Sequence, residues 1–260
     1  MNNRTESEIF NKAAEYYDRF RPSYPQEIIE TLISEAEISK GSKLLEIGAG
    51  SGKATSQFAG KGFDILCIEP GEDLVRIGNE RFKSETIEFR LGRFEQIQLP
   101  EESFDLVFAA QSFHWIPQPL GFEKCADILK SRGSLAILYN MYLVAEDNEQ
   151  DMELLALSNK YGGFADFVTA KQSDDRIKSI CSDIENSQKF TQAKVFKKHW
   201  VKEYTADEYY GFVLTGNKIL QKTEEEKAQI YKDIKCLASK FGGTITRPYL
   251  CVLYLAERVL

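Results

Sequence analysis

The first half of the chain alternates between short apolar runs and longer amphipathic segments. The apolar runs predict five strands, at residues 43–47, 63–68, 86–91, 104–109 and 134–139. The amphipathic segments predict three helices, at residues 53–60, 72–83 and 119–130. Strands that alternate with helices usually lie parallel in one sheet with helices on both faces, so the pattern predicts an α/β fold.

The two ends of the chain follow other patterns. Helical periodicity predicts four further helices, at residues 8–20, 26–37, 207–219 and 223–240. Residues 141–205 are polar and lean towards helix, and two short apolar runs near the C-terminus, at 244–246 and 249–255, predict closing strands that form a hairpin.

We therefore expect four regions along the chain. They are an N-terminal helical cap (1–40), a ligand-binding core (41–140), a lid that shapes the substrate pocket (141–205), and C-terminal helices with closing strands (206–260).

Charge and cysteine content narrow the function classes. The 260 residues carry a net charge of -7, and the lysines of residues 194–202 are mixed with aromatic residues, so we expect no nucleic-acid partner. Five widely spaced cysteines and two histidines supply no disulfide framework and no metal site. Free thiols, a polar N-terminus and the lack of an apolar run of roughly 20 residues lead us to expect a cytoplasmic protein without a membrane span.

A glycine-rich turn is the most informative segment. The strand at 43–47 contains Glu46 and leads into Gly48, Gly50 and Gly52. Glycines allow a tight turn and a close approach of a ligand to the backbone. Glu69 ends the next strand, 21 positions after Gly48, where an acidic residue can accept hydrogen bonds from the two hydroxyls of a ribose. The combination predicts a nucleoside site.

Three nucleoside ligands are compared at this turn. An ATP-binding Walker A loop has Ser or Thr after its lysine, whereas Ala54 follows Lys53 here. A dinucleotide fingerprint has its third glycine three positions after the second, whereas here Gly52 comes two positions after Gly50. S-adenosylmethionine carries no phosphate, and Glu46 suits its ammonium group, so this cofactor fits the residues best.

Residues 44–52 resemble motif I of the class I S-adenosylmethionine-dependent methyltransferases, with matches at Glu46 and the three glycines. Residues 68–71 resemble motif II, 92–97 resemble the adenine-binding segment, and 104–108 resemble motif IV. The chain is most similar to the small-molecule branch that contains trans-aconitate methyltransferase-like and ubiquinone/menaquinone methyltransferase-like proteins. The resemblance implies a Rossmann-like fold with a mostly parallel seven-stranded sheet, helices on both faces, N-terminal helices and a helical lid insertion.

The resemblance also implies which residues bind the cofactor. They are Tyr17, Arg21, Glu46, Gly48, Ala49, Gly50, Gly52, Glu69, Pro70, Arg93, Phe94, Glu95 and Gln111. Glu69 is expected on the ribose, and Arg21 and a tyrosine face on the carboxylate and the sulfonium. The family usually has an acidic residue where this chain has Arg93, so Phe94 is expected to pack on the adenine instead.

The loop after the fourth predicted strand lies where ligands bind in open α/β sheets. We expect Tyr16, Phe113, His114 and Trp115 to line the substrate pocket. His114 has two open interpretations, as a general base with a pKa near neutrality or as a packing residue beneath the lid. The sequence specifies no oligomeric state.

The expected function is methyl transfer from S-adenosylmethionine to a small molecule, at an oxygen, carboxyl, carbon or nitrogen atom. Two alternatives stay open, namely a non-catalytic nucleoside-binding module and a nicotinamide-dependent oxidoreductase. The glycine spacing counts against the oxidoreductase. S-adenosylhomocysteine production would separate the first two functions, because fold alone does not assign chemistry.

Overall fold

A computed structural model describes residues 14–83 and 86–259, together with their side chains except those of Ala14, Glu15, Tyr17 and Asn217. The predicted helix at 8–20 is described only in part, since residues 8–13 lie outside this range. Its described portion forms α1 (Ala14–Phe20), and α2 (Gln26–Glu35) follows Pro25, which suits the start of a helix.

The strands and helices that follow alternate as expected. Their bounds are β1 (Lys43–Ile47), β2 (Asp64–Glu69), α3 (Glu72–Arg81), β3 (Ile87–Leu91), β4 (Phe104–Ala110), α4 (Leu120–Ile128) and β5 (Leu129–Leu143). The C-terminal part contains α5 (Glu149–Lys160), β6 (Phe167–Val168), α6 (Ala170–Asn186), β7 (Lys194–Thr205), α7 (Ala206–Val213), α8 (Asn217–Leu220), α9 (Glu224–Lys240) and β8 (Thr244–Glu257).

In the described residues, eight strands form one sheet, which is flanked by helices. Seven of them follow the order β3-β2-β1-β4-β5-β8-β7, and β6 pairs with β5 outside this path. The pairs β1/β2, β1/β4, β2/β3, β4/β5 and β5/β6 are parallel. The prediction of a mostly parallel Rossmann-like sheet is therefore confirmed, with the short β6 as an addition.

Contacts divide the chain into two compact units. Unit 1 comprises the described residues up to Pro22, Met141–Arg176 and His199–Leu250; unit 2 comprises Ser23–Asn140, Ile177–Lys198 and the residues from Cys251 on. Unit 2 is built on the fully buried apolar residues of β1, β4 and β5. Runs of this kind are typical of a parallel sheet covered on both faces.

Unit 1 has its own aromatic core. Tyr142, Tyr204, Tyr209, Phe212 and Tyr249 are all buried in it. Helix α1 packs on α7 at Gly211, where a Cβ atom would lie 2.5 Å from the ring of Phe20. The division of residues 141–205 into a lid and the other regional boundaries stay predictions.

Three predictions about the elements were wrong, namely a helix at 53–60, a C-terminal hairpin and an unbroken helix at 207–219. Residues 53–60 form only a 3-10 turn (Thr55–Gln57), and the left-handed backbone of Gly52 and Gly60 interrupts helical geometry on either side of it. The two C-terminal strands are one strand, β8, since Pro248 tolerates extended backbone and no turn interrupts it.

The predicted helix at 207–219 is split into α7 and α8, with Gly216 between them. Strand β7 was missed inside the polar segment. It lies at one end of the sheet path and is largely exposed, so its apolar alternation is weak.

Candidate functional site

The glycine turn after β1 depends on backbone that only glycine adopts without strain. Gly48 has a φ of 64°, and Gly52 has a φ of 88°. A Cβ atom at Gly48 would lie 2.6 Å from the Cβ of Ser112, and one at Gly52 would lie 2.5 Å from the ring of Phe82. The turn therefore has no room for side chains at these two positions, and its backbone passes directly beside its neighbours.

Glu69 connects the end of β2 to this turn. Its Oε2 accepts a hydrogen bond from the Gly50 N–H at 2.8 Å, and its Oε1 accepts one from the Gly71 N–H at 2.9 Å. The side chain is only 7% exposed. Burial raises the pKa of Glu69 to about 7, although the two N–H donors partly oppose this shift. The carboxyl group is thus held in a fixed orientation at the carboxyl end of the sheet.

Glu46 lies inside the protein, one strand away from Glu69. It is 1% exposed, and the Thr55 hydroxyl donates a hydrogen bond to its Oε2. Burial raises its pKa to about 8, and the nearby Glu69 carboxylate acts in the same direction. Glu46 therefore fastens the 3-10 turn to β1, and its contact with a cofactor ammonium group stays a prediction.

The loop after β4 is anchored by the predicted Gln111 and by two side chains that the sequence did not single out, Ser112 and Asn140. Gln111 has a φ of 60°, and its Nε2 donates to the Asn140 carbonyl at 2.8 Å. The Ser112 hydroxyl donates to the Ile47 carbonyl, and the Asn140 Nδ2 donates to the Ser23 carbonyl at 3.0 Å. Ser112 and Asn140 are buried polar residues next to apolar strands, and that pattern is the signal by which they could have been found.

The predicted adenine segment follows β3 and remains close to Glu69, whose carbonyl accepts a hydrogen bond from the Gly92 N–H at 3.0 Å. Arg93 Nη1 lies 4.0 Å from Glu95 Oε1. Phe94 is 3% exposed, and the Lys124 ammonium lies 5.1 Å from the centre of its ring. Lys124 was also missed, since it lies on α4, far away in the sequence. Adenine packing by Phe94 stays a prediction.

The aromatic residues of the predicted substrate pocket have different environments. Phe113 is buried, with its ring centre 5.0 Å from that of Phe122. His114 and Trp115 are exposed, with ring centres 4.9 Å apart. His114 Nδ1 lies 3.4 Å from the hydroxyl of Tyr139, which is a residue of β5. Phe113 is thus a core residue of unit 2, and the other two are accessible.

The N-terminal candidates belong to unit 1. Tyr16 is exposed, and the side chain of Tyr17 lies outside the described part of the structure. Arg21 Nη1 donates to the Tyr142 hydroxyl at 2.8 Å, and its guanidinium carbon lies 5.2 Å from the ring centre of Phe212. Unit 2 therefore brings together the candidates from Glu46 to His114, and the cofactor contacts of Tyr17 and Arg21 stay predictions.

The residues of unit 2 fit a nucleoside-containing ligand. The turn offers closely approachable backbone where a Cβ atom would clash, and Glu69 offers carboxylate oxygens at the end of β2, as ribose hydroxyls require. No group of three or more metal-ligating side chains occurs in the described residues.

Comparison with known proteins agrees with this geometry. Residues 45–137, which contain the turn, Glu69 and the loop after β4, match the family described as a methyltransferase domain. Residues 45–137 thus form a methyltransferase domain, and the comparisons support a class I S-adenosylmethionine-dependent methyltransferase. The glycine turn and Glu69 lie within the matched residues, and their assignment to motifs I and II stays a prediction.

Two relatives of this chain carry methyltransferase names. A Dictyostelium discoideum protein that carries the name of a methyltransferase is 28% identical over 231 residues, which are 86% of this chain and 86% of that protein. An uncharacterized methyltransferase of Schizosaccharomyces pombe is 32% identical over 126 residues, and the match spans 48% of this chain and 49% of that protein. Sequence similarity to the second relative is thus limited to about half of each chain.

Solved structures support the fold. Phosphoethanolamine N-methyltransferase 2 of Haemonchus contortus, bound to phosphomonomethylethanolamine and S-adenosylhomocysteine, superposes with a TM-score of 0.53 at 13% identity. The superposition covers 96% of this chain and 58% of that chain.

In the described residues, no helix combines the length and the apolar character of a membrane span.

Proposed function

We propose that this methyltransferase binds S-adenosylmethionine in unit 2 and transfers its methyl group to a small-molecule acceptor in the cytoplasm. The observation that carries the proposal is the fixed carboxyl group of Glu69, hydrogen-bonded to the glycine turn through the Gly50 N–H. Both hydroxyls of a ribose can donate to a carboxylate in this position.

Each candidate residue has a role under this proposal. The backbone from Gly48 to Gly52 approaches the amino-acid end of the cofactor, and Glu46 is the nearest carboxyl group in the sequence. Glu69 and Pro70 border the ribose. Residues 93–95 border the adenine, where the Phe94 backbone N–H can donate to the ring whatever the position of its side chain. Gln111 extends the site to the loop after β4.

When bound, S-adenosylmethionine supplies an electrophilic methyl group on a sulfonium sulfur. The protein residues orient the two reactants and exclude water, which is the protein's usual share in cofactor chemistry. The left-handed Gln111, fixed through the Asn140 carbonyl, holds the loop that carries His114 at the carboxyl end of the sheet.

A small acceptor is supported by the chain's charge and by a fold relative. The net charge is -7, whereas binding to a phosphate backbone calls for a basic surface. The acceptor bound to the Haemonchus contortus enzyme is a small amine. Exposed His114 and Trp115 provide a polar and an aromatic contact for such a molecule.

Calorimetric titration tests the cofactor directly. We expect S-adenosylmethionine and S-adenosylhomocysteine to bind the wild-type protein, and NAD not to bind. Glu69→Gln should weaken both interactions by about tenfold or more, because a charged acceptor for two hydrogen bonds is lost. Glu72→Gln is the matched control, since Glu72 is an exposed glutamate three positions away. Tight binding of NAD would contradict the proposal. So would equal affinities of Glu69→Gln and Glu72→Gln for S-adenosylmethionine.

A second candidate function is a nucleoside-binding module without catalysis. Arg93 favours it, because the resemblance aligns this basic residue with the family's acidic adenine ligand, and its Nη1 lies 4.0 Å from Glu95 Oε1. Incubation with acceptors separates the two functions, since only the enzyme releases S-adenosylhomocysteine.

A further inference from the structure

A histidine–tyrosine contact lies at the carboxyl end of β4, beside the neighbouring strand β5. His114 belongs to a 3-10 turn (Phe113–Trp115) that follows β4, and Tyr139 lies in β5 just after the residue that pairs with the last residue of β4. The Tyr139 hydroxyl lies 3.4 Å from His114 Nδ1, and the two ring centres are 5.8 Å apart. Both residues belong to unit 2.

The turn that carries His114 is fixed on both sides. Before it, the Gln111 N–H donates to the Leu138 carbonyl at 2.9 Å, and the buried Ser112 hydroxyl donates to Ile47. Within it, Phe113 is buried against Phe122, and the Trp115 N–H donates to the Ser112 carbonyl at 3.0 Å. Such anchoring presents an exposed imidazole in a defined place, as a reacting group requires.

Tyr139 is held against the protein interior. Its ring meets that of Tyr254 edge to face, with centres 6.4 Å apart. Burial raises the pKa of Tyr139 to about 12, although a hydrogen bond with the His114 backbone partly opposes the shift, and the charge of Asp183 of α6 adds to it. The Tyr254 hydroxyl is buried without a hydrogen-bond partner in the described part of the chain, and Cys181 is its other titratable neighbour. The Tyr139 hydroxyl therefore stays neutral at physiological pH and can both donate and accept.

We propose that His114 is the general base of the reaction, that Tyr139 positions it by accepting a hydrogen bond from Nδ1–H, and that the acceptor is a hydroxyl or amine that carries a proton before methylation. The inference rests on the proposed function and narrows its acceptor class.

The arrangement assigns a task to each ring nitrogen. Nδ1 faces Tyr139, so the neutral imidazole that keeps its proton on Nδ1 has its lone pair on Nε2. As the acceptor oxygen or nitrogen forms its bond to the methyl carbon, the carbon–sulfur bond breaks and its electron pair remains on sulfur. The proton that the acceptor loses goes to His114 Nε2, and Tyr139 then accepts a hydrogen bond from an imidazolium.

A general base is useful only for acceptors that must lose a proton, so the pair of His114 and Tyr139 narrows the chemical class of the acceptor. A carboxylate is already ionised at neutral pH and needs no base, whereas phenols, alcohols and ammonium groups must lose a proton. The contact between His114 and Tyr139 therefore favours these protonated acceptors over carboxylates.

Nitrogen NMR of labelled histidine tests the pair without any acceptor. The chain has only two histidines, so His114→Asn assigns both imidazoles and His199 is an internal reference. In protein saturated with S-adenosylhomocysteine, we expect His114 to carry its proton on Nδ1, and Tyr139→Phe to shift it towards Nε2–H without moving the His199 signals. An Nε2–H tautomer in the wild-type protein, unchanged by Tyr139→Phe, would overturn the inference.

Turnover provides the second test. With phenol or benzylamine as acceptor, His114→Asn should lower kcat/KM by about 10²–10⁴-fold, the range of general-base catalysis. With 4-nitrophenol, which is ionised at the assay pH, the loss should be much smaller. Tyr139→Phe should move the acidic limb of the pH profile.

Different results would refute the proposed function and the proposed roles of His114 and Tyr139. Loss of S-adenosylmethionine binding in calorimetry would refute the proposed function itself. Binding together with methylation of benzoate at a rate that His114→Asn leaves unchanged would refute only the acid–base pair. If none of these compounds is methylated, the tautomer of His114 measured by NMR decides whether the inference on His114 and Tyr139 holds.

Discussion

Two buried carboxyl groups, those of Glu46 and Glu69, are adjacent to the glycine turn and hold their protons more tightly than ordinary glutamates. Burial raises their pKa values to about 8 and about 7. Each accepts hydrogen bonds from neutral donors. The Thr55 hydroxyl donates to Glu46, and the N–H groups of Gly50 and Gly71 donate to Glu69. Both groups consequently titrate within the range in which an enzyme is assayed.

The affinity for S-adenosylmethionine should depend on pH through Glu69. Ribose hydroxyls donate to the ionised carboxylate, so binding favours loss of the proton. The affinity should rise as pH increases to about 7 and then level off, with a slope of up to about tenfold per pH unit below that value. Titrations between pH 5.5 and 8.5 check this. Glu69→Gln should show a much flatter profile, and Glu72→Gln should retain the wild-type slope.

The stability of the free protein should depend on pH through Glu46. Its pKa is higher in the folded state than the ordinary value of 4.5, so its contribution is fully present below about 4.5 and is lost as pH rises through about 8. Glu46→Gln keeps a hydrogen-bonding group that cannot ionise. The variant should therefore gain stability relative to the wild type between pH 6 and 9, as measured by urea denaturation. An unchanged difference across this range would show that Glu46 is ionised in the fold.

The sequence located the residues whose chemistry is local. Glu69 was expected from its distance to the glycine turn, and it does bond to that turn. Tyr139 and Lys124 were not identified, because they meet His114 and Phe94 only through the packing of distant strands and helices. Spacing along the chain carries no information on such contacts.

At the scale of elements, periodicity predicted best where burial is complete. Strands β1 and β4 have continuous apolar residues and were found within one residue of their bounds. Strand β7 was missed, because a largely exposed strand at one end of the sheet path has a polar sequence that resembles a surface helix. The helix predicted at 53–60 failed because amphipathic spacing does not register the left-handed glycines at its two ends.

Helix α3 approaches β3 closely through a glycine. A Cβ atom at Gly78 would lie 2.5 Å from the ring of Phe89, which stacks on Phe82 with centres 5.8 Å apart. Alanine gains about 1 kcal/mol over glycine within a helix, but overpacking typically costs about 1–3 kcal/mol. Gly78→Ala should therefore destabilise the protein in urea denaturation.

A double-mutant cycle identifies the cause of that loss. Phe89→Leu removes ring atoms that the new methyl group would meet, so it should cost less in the Gly78→Ala background than in the wild type. A coupling energy of about 0.5–3 kcal/mol is expected for residues in contact. Additive effects would mean that the methyl group is accommodated elsewhere.

At the scale of the whole molecule, each compact unit is assembled from several separate stretches of the sequence. Strands β5, β7 and β8 each contribute residues to both units. The sequence predicted a lid insertion at 141–205, which stays a prediction, and contacts assign 141–176 to unit 1 and 177–198 to unit 2. Chain order alone does not reveal this, since a polar segment looks the same whether its parts pack together or apart.

Shared strands predict a single unfolding transition. A strand that supplies residues to both units cannot lose order at one end without weakening the backbone hydrogen bonds that continue along it, so the two cores should melt together.

The chain has two tryptophans, one in each unit. Trp115 belongs to unit 2, and Trp200, whose ring centre lies 4.6 Å from that of Tyr249, belongs to unit 1. Trp115→Phe and Trp200→Phe each leave one of these reporters. The fluorescence transition of each variant should coincide with its own far-UV circular dichroism transition in urea. An earlier fluorescence transition for the variant that retains Trp200 would mean that unit 1 unfolds by itself, and its tyrosine-rich core would then be a separate folding unit.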